Sequence, residues 1–122
     1  MKITKEIFIQ TFRNECIKAS NSLDTNVFRS SGGINEPSFE IVSNKNVSFF
    51  AMRMSNNDEK QTYSYLGKIL FEGFVDYKSI ELTEEDFDFL SDCFEKAENS
   101  ARIAVKAAII ANGVHSLCQI IQ

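Results

Sequence analysis

Tryptophan is absent from this chain, and proline and histidine occur once each. One proline and five glycines in 122 residues exclude collagen-like repeats, long linkers and low-complexity stretches, all of which need far more of both. Three cysteines, Cys16, Cys93 and Cys118, are an odd number with no close pair. They argue against a disulfide framework and for free thiols in a reducing compartment. No run of about twenty apolar residues is free of charge, so no membrane span is expected. The opening stretch, MKITKEIFIQTFRNEC, meets Lys2, Lys5, Glu6 and Arg13 before any signal-length apolar run, which argues against secretion. Asn46-Val47-Ser48 fits a glycosylation sequon, but without secretion it reads as a turn beside a strand. A cytoplasmic location is expected.

What is present suits one domain spanning residues 1–122. Eleven Phe and three Tyr supply an aromatic core, and a chain of this length buries roughly two-thirds of its unfolded surface. The net charge of −4 conceals an asymmetry. Glu81, Glu84, Glu85, Asp86, Asp88, Asp92, Glu95 and Glu98 stand against one base, Lys96, which puts that stretch at −7 and the remainder at +3. A composition rich in Asn, Lys, Ile and Phe would suit an AT-rich bacterial, phage or mobile-element gene.

Phe8, Phe12, Cys16, Ala19 and Leu23 recur at helical spacing and predict a helix from Thr4 to about Ser22. Arg29 to Pro37, with Ser30, Ser31, Gly32 and Gly33, reads as a loop. Strands are expected at 39–42, at 47–54 with apolar groups on both faces, and at 63–71, where alternation is clearest. Gly73 ends that run, and 74–80 offers a fourth strand. The short connections imply an antiparallel meander.

Thr83 is a natural N-cap for a following helix, with Asp86 completing a capping box and Leu82 and Phe87 a hydrophobic staple. Phe87, Leu90, Phe94 and Ala97 form its inward stripe. Asn99-Ser100 is read as a break or bend before a last helix from Ala101 to Ile121. In that helix Ile103, Ala107, Ile110, Val114, Leu117 and Ile121 make an a/d seam. The expected fold class is α+β: an antiparallel sheet of three or four strands with one N-terminal and two C-terminal helices. The last helix is expected to pack its seam on the sheet.

Candidate chemistry is sparse. Three Cys and one His match the composition of a zinc site, but only His115 and Cys118 are close in sequence, and structural zinc sites draw on close pairs. A Cys–His nucleophile is disfavoured because Cys93 sits among acids, which raise a thiol pKa. FRSSGGIN has the composition of a phosphate cradle, yet it lacks the order of a P-loop or dinucleotide loop. Glu81, Glu84, Glu85 and Asp88 lack calcium-loop spacing. Tyr63 and Tyr65 share a strand face, but a pI of about 5.0 argues against nucleic acid. Neither catalytic nor metal residues are assigned, and no cofactor is expected.

The expectation is a non-catalytic protein-binding module of adaptor, inhibitor, immunity or chaperone-like type. Glu81, Glu84, Glu85, Asp88, Asp92 and Glu95 would face a partner with a basic surface, and Val105, Ile109 and Ile120 would form a homodimer interface. One alternative is a ligand-binding domain or enzyme whose pocket gathers Arg29, Arg53, Tyr63, Tyr65 and His115. The other is a nucleic-acid-associated protein with a basic patch of Lys45, Arg53, Lys68 and Lys78.

Overall fold

The computed structural model describes residues 2–33, 36–44, 46–56, 62–71 and 75–121, the side chains of 75–77 and 114–121 excepted. The order is helix α1 (Lys5–Ser20), a single 3-10 turn (Thr25–Val27), strands β1 (Phe28–Ser31), β2 (Ser38–Asn44), β3 (Val47–Ser55), β4 (Tyr63–Phe71) and β5 (Val75–Leu82), then helix α2 (Glu84–Ile121). The five strands form one antiparallel sheet in sequential order, as short connections require.

Helix α1 starts where the Thr4 hydroxyl accepts from the Ile7 N–H at 3.2 Å, a cap that satisfies one orphan donor. Its buried residues are Phe8, Phe12, Cys16 and Ala19. Leu23, expected to extend that stripe, lies past the helix end and is exposed. Helix α2 starts with the reciprocal box: the Asp86 N–H donates to the Thr83 hydroxyl at 3.1 Å, and the Thr83 N–H donates to Asp86 at 2.9 Å. Lys5 reaches the same carboxylate at 3.1 Å. The N-termini of α1 and α2 are thereby adjacent, and the two helices run parallel across one face of the sheet.

That inner face carries Phe39 and Ile41 from β2, Phe49 and Ala51 from β3, Ile69 from β4, and Ile80 and Leu82 from β5, all buried. Phe39 is the hub, edge-on to Phe12 at 5.7 Å and tilted against Phe87 and Phe94 at 5.2 and 5.3 Å between centroids. Such contacts add to the area term of burial. Gly67, opposite Ala51 and Ile80, leaves the space that the Phe8 ring fills.

The expectation of three or four strands falls one short. Within FRSS only Phe28 is buried, so this edge strand has no alternation to read and its polar residues resemble a loop. It pairs Arg29 with Glu40 and Ser31 with Ser38, and the turn follows at Gly32 and Gly33, both at positive φ. Gly73, expected to break β4 from β5, lies outside the described residues.

The two expected C-terminal helices are one. Asn99 and Ser100 do not interrupt α2, since neither is a strong breaker. Ala97 and Ala101 are buried on either side of them, and the Arg102–Glu98 bridge at 3.3 Å spans the junction. The expected packing of the terminal seam on the sheet is also corrected for its described half; the side chains of Val114, Leu117 and Ile121 lie outside the described residues. Ile103 and Ile110 are 69% and 58% exposed, because α1 and the sheet end beside Ser100 while α2 continues.

Candidate functional site

Helix α2 is a rod with two different halves. From Glu84 to Ala101, roughly 27 Å at 1.5 Å per residue, its inward stripe of Phe87, Leu90, Phe94, Ala97 and Ala101 is buried. From Arg102 to Ile121 it runs about 30 Å further. Along the described part of that arm, Ile103, Ile109 and Ile110 are exposed, while Ala104, Val105 and Ala108 are half-buried.

The helical period explains which side is open. At 100° per residue the seam of Ile103, Ala107 and Ile110 points about 160° away from the buried stripe of the body. That seam therefore cannot continue the contact that α2 makes with its own sheet; the side that faces the same way as the buried stripe carries Ala104, Val105 and Ala108, which are half-buried. Glu84, Glu85, Asp88, Asp92 and Glu95 fall within about 100° on the outward side of the body, and all five are exposed. Glu81 is exposed on β5, opposite Leu66, and adjoins the helix start rather than this stripe. Beyond Ser100 the outward side turns basic with Arg102 and Lys106. Of the three residues expected at a dimer interface, Val105 is half-buried, Ile109 is 66% exposed, and the side chain of Ile120 lies outside the described residues.

Between α1 and α2 runs an open groove of 370 Å³. Its floor and walls include Cys16, Ile17, Phe89, Cys93 and Ala97, with Asp92 and Lys96 on the rim. Ile17 and Phe89 are 48% and 45% exposed. Burial, then the neighbouring Cys93 and Glu15, push the Cys16 thiol up to about 12. Burial also raises the Cys93 thiol, against the opposing pull of Arg13. Neither thiol is held as the thiolate that nucleophilic chemistry uses.

A second groove, of 320 Å³, lies where the β1–β2 turn faces α2. Ser30, Ser31 and Gly33 line it as the cradle reading required, but Glu95 and Glu98 form the opposite wall. Those carboxylates repel an anion.

The other expected groupings are dispersed. Arg53 stacks over the Tyr63 ring at 4.4 Å, with Tyr65 opposite Arg53 on the next strand. Arg29 lies on the edge strand β1, three strands from β4, and the side chain of His115 lies outside the described residues. By register Lys68 is on the outer sheet face while Arg53 and Lys78 are on the inner one, and Lys45 lies outside the described residues. Among the described residues no three of His, Cys, Asp and Glu converge as a metal site would require. No helix of the described residues is long and apolar enough to cross a membrane.

Sequence reading passed over the outer sheet face as a surface. There Phe50, Met52, Met54, Leu66 and Leu70, all half-buried, lie on paired strands with no helix above them. The signal was the apolar content on both faces of β3. The architecture is thus an α+β domain with a projecting helix. No family model matches the chain, and no curated protein or solved structure does.

Proposed function

We propose that this chain is a non-catalytic protein-binding module that uses α2 as its contact element. The observation that carries this reading is the break in the role of α2 at Ala101. A helix that has completed its core continues for twenty residues with isoleucines in solvent. Exposed apolar groups in a row mark interaction surfaces. The acidic stripe of Glu84, Glu85, Asp88, Asp92 and Glu95, with Glu81 beside it, would steer a basic protein surface toward the body. The arm would supply self-association as a homodimer, with Ile103, Ala107 and Ile110 as the contact side; Val105 and Ile109, expected at that interface with Ile120, fall on other faces of the helix.

Reversing Glu84, Glu85 and Asp88 to Lys tests the acidic stripe, with partner capture from the source cell as the readout. All three are exposed, so the fold should survive. Capture is expected to fall at least tenfold, and wild-type capture should weaken with salt as screening predicts. Undiminished capture by the triple variant would show the stripe to be ordinary solvated surface.

A further inference from the structure

We infer that two copies of this chain pair antiparallel through α2, each laying its arm in the α1–α2 groove of the other. The inference rests on the proposed role of the arm in self-association and names what the arm meets.

Three features argue for a second copy in this particular arrangement. The first is symmetry. Antiparallel helices related by a two-fold axis meet through the same face of each helix. On the helical wheel the groove residues Phe89, Asp92 and Lys96 and the seam residues Ile103, Ala107 and Ile110 fall within about 60° of one another, with Ser100, Cys93 and Ala97 progressively further round toward α1. Groove and seam are therefore on one side of one helix, and a two-fold operation brings each onto the other. A seam on any other side of the rod would have missed the groove.

The second feature is length. The groove follows α2 from Phe89 to Ser100, twelve residues, and the arm with described side chains runs from Arg102 to Gly113, also twelve. Both measure about 18 Å along the axis. With the two-fold axis beside Ser100, Ile110 of the second copy comes level with Phe89 and Leu90. The apolar floor that leaves Ile17 and Phe89 half in solvent is then covered by Ile103 and Ile110, which are exposed among the described residues of their own chain.

Charge is the third feature. The arm carries Arg102 and Lys106 and no acid, whereas the body of α2 is the acidic half. Around the same axis Lys106 of the second copy falls between Asp92 and Glu95, and Arg102 comes beside Glu98. Parallel pairing would instead set two acidic halves side by side, which like-charge repulsion disfavours. Antiparallel pairing exchanges basic arm for acidic body twice.

Oligomeric mass against concentration, by light scattering and sedimentation, tests this with two exposed substitutions on different elements. Wild type is expected to dimerise. Ile17→Glu, which alters only the groove wall on α1, and Ile110→Glu, which alters only the arm, should each weaken the dimer at least tenfold. Helical circular dichroism should be unchanged, and melting temperatures should match wild type at concentrations low enough for all three to be monomeric. A monomeric wild type would overturn both the dimer and the inference. A dimer broken by Ile110→Glu but not by Ile17→Glu would mean arms that pair with each other, overturning the inference alone. Insensitivity to both changes would also reject the groove as the docking site.

Discussion

The two halves of α2 share one backbone and almost nothing else. From Glu84 to Ala101 the helix is specified several times over. A capping box starts it, Leu82 and Phe87 are both buried at the two staple positions, and its inward stripe closes on Phe28, Phe39 and Tyr65. From Arg102 onward none of these supports is present among the described residues. The arm persists because it propagates from a helix that is already nucleated; adding a residue to a formed helix is far easier than starting one. Tertiary packing holds the first half, while intrinsic propensity and the continuing ladder of hydrogen bonds hold the second.

Two glycines sharpen the comparison, and the first gives the largest expected effect. A Cβ at Gly67 would collide with the Phe8 ring, which is fully buried between Phe12 and Phe49. A ring held on both sides cannot swing away, so the strain passes into the β4–α1 contact. Gly67→Ala should destabilise the fold by about 1–3 kcal/mol, the usual range for overpacking a filled core. Urea unfolding would register the change as a lower midpoint at constant slope. An unchanged midpoint would mean that the body yields as readily as the arm.

The ease of reading each half from sequence follows the same division. Thr83, Asp86, Leu82 and Phe87 announce the start of α2 because capping is local chemistry, complete within six residues. Strand β4 was legible from alternation, β3 from its apolar run between turn residues, and α1 from its phenylalanine spacing. Asn99-Ser100 misled because intrinsic propensity was weighed without the buried Ala97 and Ala101 on either side. The edge strand β1 was missed because a strand with one buried residue carries no period. For the interaction surfaces, the acidic stripe was visible as a charge run and the seam as a heptad. Which way the seam points was not legible, since that depends on where α1 and the sheet stop, a tertiary fact. The groove between α1 and α2 was hidden for the same reason. Its residues belong to two helices more than sixty positions apart in the chain, and neither helix shows the groove on its own.

The cap offers a middle-sized test, tuned by pH. Burial pushes the Asp86 carboxyl up, but the Thr83 N–H, the Lys5 ammonium and the Thr83 hydroxyl outweigh it, so the group is held below its ordinary value. A carboxyl depressed in the folded state contributes its stability above the unfolded pKa, about 3.9. That contribution is lost as pH falls through the lowered folded value. Asp86→Asn should therefore destabilise the body by about 1 kcal/mol near neutrality, the usual magnitude for a cap. The gap between variant and wild type should close in acid. Melting temperatures measured from about pH 7 down to pH 2 would reveal it, and a gap constant with pH would mean that the carboxylate charge is irrelevant to the cap.

The smallest effect is expected at the second glycine, and its sign is opposite. A Cβ at Gly113 meets nothing within 4 Å, so the substitution adds no clash and removes only the backbone freedom that glycine brings to a helix. Gly113→Ala should stabilise the arm by roughly 0.5–1 kcal/mol through propensity. Global unfolding will barely register it, because the arm contributes little to the cooperative core. Amide hydrogen exchange resolves such local stability. Peptides covering residues 102–113 should exchange several-fold more slowly in the variant, while those from β2 to β4 keep the wild-type rate. On the helical wheel Gly113 lies about 60° or more to the side of the seam at Ile103, Ala107 and Ile110, so self-association should persist while the arm stiffens. Pre-ordering a segment lowers the entropy cost of docking it, and the variant should dimerise at least as tightly as wild type. Faster exchange in the arm, or a weaker dimer, would place Gly113 inside a contact, and the arm would then be a packed element like the body.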